Sequence, residues 1–294
     1  MRRRLDALLL LDKPAGISSN AALQEAKRIC RAAKAGHGGT LDPLASGLLP
    51  VLFGEATKFS QFLLGSDKEY VAEALLGVTT ATGDAEGQVL ERRPVEVDAA
   101  AIERALARLR GAIEQVPPMH SALKRGGRPL YELARKGERV ERAARRVTVH
   151  ELELLGRTGN TLRLRVRCSK GTYVRTLAED IGATLGTGAH LAGLRRTAAG
   201  GFRVDQAISL EALAGLDEAA RDRCLMPVDA LLDALPRIDL DPESARRFAQ
   251  GQPVAHAPGP AARCRVYAQG GVLLGVGERD ATGALKPRRL VATG

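Results

Sequence analysis

The sequence predicts an α+β protein: a large domain with a mixed, largely antiparallel sheet flanked by helices and loops, followed by a small β-rich module. Three observations carry this prediction. Residues Thr161-Leu-Arg-Leu-Arg-Val-Arg-Cys168 alternate with a strict period of two, which is the pattern of a strand with one buried face. Apolar residues recur at helical spacing in two other stretches, at Ala22, Ala26, Ile29 and Ala33 and at Ile102, Leu106 and Leu109. Beyond Pro236 the pattern changes to short strands separated by glycine turns. The expected division is therefore residues 1–235 and residues 236–294, the second of roughly the minimum size that folds alone.

Composition narrows the class. A chain of 294 residues with 45% hydrophobic and 27% charged residues has the balance of a globular protein, and no apolar run approaches the length that spans a bilayer. The opening, three arginines and then a short apolar run from Ala7 to Leu11, resembles a signal peptide, but Asp6, Asp12 and Lys13 interrupt it and it reads as a buried strand. Cys30, Cys168, Cys224 and Cys264 are far apart, with no C-x-x-C and no histidine at metal-ligand spacing. They read as reduced core residues of a cytoplasmic protein. A net charge of +10 suggests a polyanionic partner.

Taken in order, residues 7–11 are expected as a strand, residues 12–20 as a loop ending in helix-capping side chains, and a helix follows to about Ala33. Residues 36–50 form a loop that sets one carboxylate, Asp42, among glycines, prolines and leucines. Pro43 steers Asp42 toward extended backbone; the carboxylate is then either an Asx-turn that ties the loop together or a side chain aimed by a rigid mount. Leu48–Phe53 reads as a buried strand, Glu55–Leu64 as a short helix and Lys68–Gly77 as a strand, and Thr79–Gly87 as a polar, glycine-rich loop. Asp98 is the expected N-cap of a helix that stops at Gly111.

Residues 124–146 hold nine Lys or Arg against three Glu, the densest basic stretch. They read either as a mobile insertion closing on a phosphate backbone or as a solvated helical hairpin. After the 161–168 strand, whose Arg163, Arg165 and Arg167 share one face, a tight turn leads into a helix with Tyr173 and Arg175 in its first turn. Leu194–Phe202 reads as a basic, flexible stretch, and residues 209–235 as two short helices around Met226-Pro227. In the C-terminal module, strands are expected at Arg263–Ala268, Val272–Gly277 and Leu290–Ala292.

The sequence carries no G-x-x-x-x-G-K-[ST], no G-x-G-x-x-G after a strand and no H-E-x-x-H, so no cofactor and no metal are signalled. Its five histidines are scattered. Aromatics are only 3% of the chain, yet Tyr70, Tyr131 and Tyr173 lie beside basic or glycine-rich stretches, which suits bases stacked over a phosphate track as well as half-buried core tyrosines.

The strings Leu10-Leu-Asp-Lys-Pro-Ala-Gly-Ile-Ser-Ser-Asn20, Gly36-His-Gly-Gly-Thr-Leu-Asp-Pro-Leu-Ala-Ser-Gly47, Lys68-Glu-Tyr70, Val116-Pro-Pro-Met119 and Cys168-Ser-Lys-Gly-Thr-Tyr-Val-Arg175 resemble the TruB-type tRNA pseudouridine synthases, in order and across nearly the whole chain. The resemblance implies the pseudouridine synthase fold with a C-terminal PUA-like RNA-binding domain. It also implies an isomerase that detaches, rotates and rejoins uracil at uridine 55 in the T loop of tRNA, without cofactor or metal.

By the same resemblance Asp42 is the nucleophile, Arg175 pairs with it, and Tyr70 stacks on the target base and helps remove the proton from its carbon. Tyr173 and Leu194 line the pocket, His37 contacts the RNA where the base has left the stack, and Lys13 supports its loop. Residues 120–148 correspond to a thumb-like insertion, and Arg163, Arg165 and Arg167 are expected on a basic sheet face. Base flipping would bring the uridine to Asp42. The implied partner is the T stem-loop of tRNA, met by a monomer with no membrane attachment. A non-catalytic tRNA-binding or folding factor using the same surface is the rival reading. Two positions depart from the family pattern: Gly38 stands where a threonine is usual and His120 where a tyrosine is usual.

Overall fold

The computed structural model describes residues 2–292 apart from 120, 122, 126, 136, 139, 258 and 260. His120 and the side chain of Tyr131 lie outside the described residues. In chain order the elements are β1 (Ala7–Lys13), α1 (Ser19–Ile29), β2 (Ala35–His37), β3 (Ser46–Phe53), α2 (Ser60–Leu64), β4 (Lys68–Leu76), β5 (Val78–Thr80), β6 (Val89–Arg92), α3 (Ala99–Arg108) and β7 (Gly111–Gln115). The short β8 (Lys124–Arg125) and β9 (Arg128–Pro129) and helix α4 (Leu130–Arg135) follow, then β10 (Arg145–Thr158), β11 (Thr161–Cys168), α5 (Val174–Thr184) and β12 (Ala189–Ala199). The large domain closes with β13 (Phe202–Arg203), β14 (Ile208–Ser209), α6 (Leu210–Gly215), α7 (Glu218–Arg223) and β15 (Leu225–Met226). The C-terminal module comprises β16 (Arg237–Asp239), α8 (Pro242–Ala249), β17 (Val254–Ala255), β18 (Ala262–Ala268), β19 (Val272–Arg279) and β20 (Ala284–Leu290).

The main sheet runs β14-β1-β3-β12-β4-β11-β10-β7. Its pairs are antiparallel except β1 with β14 and β3 with β12, so the predicted mixed, largely antiparallel sheet is present. β1 and β3 are apolar on both faces because both are covered. Leu9, Leu11, Leu49 and Val51 pack under α1, while Leu8, Leu10, Leu48 and Leu52 meet Phe59, Phe202 and Leu232 on the other side. β11 has one covered face: Leu162, Leu164 and Val166 join α3 and α5 in a third cluster.

Several expectations are corrected. Leu194–Phe202 is not flexible: Leu194 to Ala199 belong to β12, a central strand between β3 and β4. The basic residues disguise it, since Arg196 satisfies its charge inside the protein. Both short helices of the 209–235 region precede Met226, which pairs with β1, and Val228–Leu232 is a single 3₁₀ turn. The first helix stops at Ile29, because Arg31 takes a left-handed φ of 55°. Thr79 and Thr80 of the expected loop pair with β6. The last strand is β20, ending where Leu290–Ala292 was expected to begin.

The C-terminal sheet is ordered β16-β18-β19-β20-β17, with α8 packed on it through Phe248. It is fastened to the large domain. Val276 and the partly buried Leu273 and Val291 enter the apolar cluster under β1 and β3, and the Tyr267 hydroxyl donates to Asp229 over 2.8 Å. Lys58 Nζ donates to the Leu290 carbonyl at 3.0 Å, and the Ala292 amide to Glu55 at 2.6 Å. Among the described residues no helix is long and apolar enough to cross a membrane.

Candidate active site

The loop that carries Asp42 is clamped at both ends. β2 and β3 pair antiparallel, Gly36 opposite Leu52 and His37 opposite Val51, and the Gly38 amide donates to the Pro50 carbonyl at 2.9 Å. Ser19, the first residue of α1, accepts from the Leu41 amide at 2.7 Å and donates to its carbonyl at 2.8 Å. Gly16 donates to the Pro43 carbonyl at 2.8 Å. The turn itself is closed by main chain, the Ala45 amide to the Asp42 carbonyl at 3.0 Å, so the carboxylate is turned outward. Gly47, at φ +99°, lets β3 meet β12: a Cβ there would lie 2.3 Å from the Arg196 carbonyl oxygen.

Asp42 accepts from Arg175 Nη2 at 2.5 Å, and its side chain stays 47% exposed while that of Arg175 is 6% exposed. The arginine is held from three directions. Its Nη1 reaches the Thr82 carbonyl at 3.2 Å and the buried Asp84 carboxylate at 3.2 Å. Its helix is tied to β7 at its N-cap, where Tyr173 N donates to Gln115 Oε1 at 3.0 Å and Gln115 Nε2 to the Tyr173 carbonyl at 3.3 Å. A planar guanidinium suits this position because its fork serves two carboxylates at once.

Asp42, Tyr70, Tyr173, Arg175, Leu191 and Leu194 line a cavity of about 360 Å³. Of the residues marked by the sequence, the structure therefore brings together Asp42, Tyr70, Tyr173, Arg175 and Leu194. Tyr70 stands on β4 and Leu194 on β12, paired across the sheet with Ala72. Burial pushes the phenols of Tyr70 and Tyr173 up, so both are neutral, and for Tyr70 the neighbouring Arg196 opposes that shift.

Lys13 and His37 stand outside the cavity wall. Lys13 is fully buried and donates to the Pro14 carbonyl at 2.8 Å and the Ile17 carbonyl at 2.6 Å, which ties the loop after β1. Burial lowers its ammonium to about 8, with Asp42 pulling the other way. His37 is half-buried on β2; burial and then Arg196 push its imidazole down.

The expected basic face on β11 is largely paired. Arg165 bonds Glu153 at 2.7 Å and Arg167 bonds Glu151 at 3.1 Å across β10, and Arg163 stands opposite Glu73 of β4. The reason is register: alternate positions on the neighbouring strands are acidic, so this face is a ladder of opposite charges.

Three buried polar residues around the cavity were given no role by the sequence. Asp84 sits in the stretch read as a polar loop, although an Asp-Ala-Glu-Gly turn gives no sign that its aspartate is buried. Arg196 is 1% exposed inside β12. Lys68, beside the recognised Tyr70, donates from Nζ to the carbonyls of Leu63, Leu64 and Ser66 at 2.8, 3.2 and 2.7 Å, and so caps α2, whose Leu64 borders the cavity. Its place at the head of the Lys68-Glu-Tyr70 string is the signal that marked it, although nothing there gave it a role.

Comparison with known proteins gives this geometry a lineage. A family model described as TruB family pseudouridylate synthase (N terminal domain) matches residues 27–174. The chain belongs to the TruB family of pseudouridine synthases. Models of the tRNA pseudouridylate synthase B C-terminal domain and of the pseudouridine synthase II TruB C-terminus match residues 175–233 and 236–291. Among curated TruB relatives, the tRNA pseudouridine synthase B of Aromatoleum aromaticum is 58% identical over 292 residues, covering 99% of this chain and 94% of its own. That of Azoarcus sp. is 55% identical over 292 residues, covering 99% and 97%. Among solved structures, a Cbf5-Nop10-Gar1 complex contains a chain that matches with a TM-score of 0.75 at 27% identity, covering 97% of this chain and 84% of that one. The chain from an archaeal box H/ACA sRNP Nop10-Cbf5 complex gives 0.74 at 25%, covering 98% and 86%. The architecture is the pseudouridine synthase fold, α+β as predicted.

Proposed function

We propose that this protein is a tRNA pseudouridine synthase that isomerises uridine 55 of the T loop, with Asp42 as its nucleophile. The observation that carries the reading is the Asp42 carboxylate: half-exposed at a cavity of about 360 Å³, yet fixed at 2.5 Å by an almost wholly buried arginine. A protein that only binds RNA has no use for such a group, because a carboxylate repels phosphate. The relatives' names, tRNA pseudouridine synthase B, support the substrate class.

The geometry suits a flipped base. The cavity is of small-ligand size, walled by Tyr70 and Tyr173 as stacking surfaces and by Leu191 and Leu194 as an apolar floor. Arg175 aims the Asp42 carboxylate through its 2.5 Å contact. Attack by the carboxylate on the ring or on the sugar carbon forms a bond that holds one fragment while the glycosidic C–N bond breaks; the uracil turns and bonds to the sugar through carbon, the bond to Asp42 breaks and frees the carboxylate, and that carbon gives up its proton through the neutral Tyr70 hydroxyl as a relay while the freed ring nitrogen takes one up. Substrate and product have the same atoms, so the reaction calls for no net oxidant or reductant, and the reading includes no cofactor or metal. His37 meets the RNA beside the pocket, residues 120–148 close over it, and residues 236–294 form the PUA-like RNA-binding domain next to the catalytic domain of residues 1–235. The enzyme acts in the cytoplasm, as a monomer.

The test is direct. Purified protein is incubated with an unmodified tRNA transcript, and with a T-arm stem-loop alone, and pseudouridine is mapped alongside Asp42→Asn. Modification confined to position 55 and abolished in the variant is expected. Activity surviving in Asp42→Asn would remove the nucleophile assignment, and tight binding without modification by the wild type would favour a tRNA-folding factor.

A further inference from the structure

Arg196 is among the largest fully buried side chains of the protein, and its partners are unusual for a buried cation. Among the described residues they are three carbonyls and a phenol, with no carboxylate. Nε donates to the Leu48 carbonyl at 2.7 Å, Nη1 to Thr40 at 3.3 Å and Nη2 to Gly39 at 3.1 Å, and the guanidinium also hydrogen-bonds the Tyr70 side chain. Burying a guanidinium without a counterion is expensive, and an apolar side chain of similar shape would fill the same space more cheaply.

What an apolar side chain would not do is join those particular groups. Thr40 and Gly39 are on the incoming arm of the Asp42 loop, and Leu48 is on its outgoing arm. Arg196 itself stands in the sheet register opposite Tyr70 on one side and Gly47 on the other. One rigid fork therefore spans both arms of the loop and the hydroxyl of the tyrosine that lines the cavity with Asp42. Gly47 makes the approach possible, since β3 and β12 touch there backbone to backbone.

We infer that Arg196 is a positioning residue: it fixes the loop that carries Asp42 and the Tyr70 hydroxyl relative to each other, and so governs the chemical step rather than RNA binding. This rests on the reading of Asp42 and Tyr70 given above. Lysine at 196 keeps the charge but, as a point donor, cannot reach both arms and the phenol together.

The experiment uses the full chain and an unmodified tRNA transcript, with wild type, Arg196→Lys, Arg196→Gln, Tyr70→Phe and the Arg196→Lys/Tyr70→Phe pair. Single-turnover rate at saturating RNA, Kd for the RNA and the thermal midpoint are measured for each. For Arg196→Lys the rate is expected to fall about 100-fold, as for a misplaced reacting group, with Kd within about threefold of wild type. In the Tyr70→Phe background the same substitution should cost at least about tenfold less, because the two side chains act through one contact. An unchanged rate, a loss confined to Kd, or full additivity with Tyr70→Phe would overturn the inference. If neither Arg196 variant folds, hydrogen exchange of the wild type decides: the hydrogen-bonded loop amides of Gly38, Leu41 and Ala45 should be as protected as those of β3 and β4, and exchange at free-loop rates would overturn it. Wild-type protein that makes no pseudouridine would instead remove the functional reading on which the inference stands.

Discussion

Asp84 lies directly behind Arg175: its Oδ2 is 3.2 Å from the Nη1 of the guanidinium whose Nη2 meets Asp42 at 2.5 Å. The arginine is thus shared between a buried carboxylate and a half-exposed one that lines the cavity. Asp84 is itself held, accepting from Thr82 Oγ1 at 2.5 Å and from the Glu86 amide at 3.2 Å. Replacing Asp84 by Asn keeps the shape and removes the charge that anchors the arginine. Loss of a charged hydrogen bond of about 2 kcal/mol predicts an unfolding free energy lower by that amount in denaturant melts and a single-turnover rate about tenfold lower, with RNA affinity unchanged. A normal rate would show that the Asp42 contact alone aims Arg175.

Gly38 has a structural reason to be glycine in this chain. A Cβ there would lie 2.4 Å from Leu63 Cδ1, in a part of the core where Leu63 is 3% exposed. Gly38→Thr, which restores the residue usual in the family, is therefore expected to destabilise the protein by about 1–3 kcal/mol through overpacking. Combined with Leu63→Ala, which opens the space, the same threonine should cost less than it does alone. Equal cost in both backgrounds, read from urea melts, would contradict the packing account.

The C-terminal module is a structural partner of the large domain as well as a candidate RNA-binding one. Val276, Leu273 and Val291 complete the cluster that covers β1 and β3. A chain ending at residue 235 is expected to melt at lower temperature and to bind a hydrophobic dye that the full chain does not bind. Tyr267→Phe removes the bond to Asp229 within an otherwise intact junction and should cost about 1 kcal/mol.

Stability should respond to alkaline pH through Lys68. Burial lowers its ammonium from 10.5 to about 8, while in the unfolded chain it keeps an ordinary lysine's affinity for protons. Below pH 8 both states hold the proton. Between about 8 and 10.5 the unfolded state holds more, so this group's contribution to stability rises with pH across that window. The rise between about pH 8 and 10 should be smaller in Lys68→Met than in wild type; parallel curves would mean that Lys68 does not titrate there.

Arg165→Ala and Arg167→Ala are expected to leave the RNA Kd within about twofold and its salt dependence unchanged, because each arginine is spent on a glutamate of β10. A salt slope lower by about one for either variant would place a phosphate on that face.

Much of this molecule was legible beforehand, and its blind spots share one cause. The doubly buried β1 and β3, the alternation of β11 and the glycine turns after Pro236 are patterns of solubility, and sequence displays solubility openly. Asp42, Tyr70, Tyr173 and Arg175 were marked by motifs. Arg196 and Asp84 were not, because a charged residue in a string such as Leu194-Arg-Arg-Thr197 is read as solvated, whereas here carbonyls and a guanidinium solvate it from within. The same substitution of protein for water turned an apparently flexible basic stretch into the middle of the sheet. On β11 the reverse occurred: the arginines are exposed as expected, but the acidic residues that neutralise them lie on strands whose register no local pattern displays.

The Gln115 amide that grips Tyr173 at both its N–H and its carbonyl has a consequence for turnover. Because the start of α5 is fastened to β7 before any RNA arrives, the entropy of orienting Arg175 is lost during folding and not during the encounter. On the proposed reading no reorientation of Arg175 is left for the encounter with RNA, and differences in rate between substrates should follow how readily each nucleotide leaves its stack.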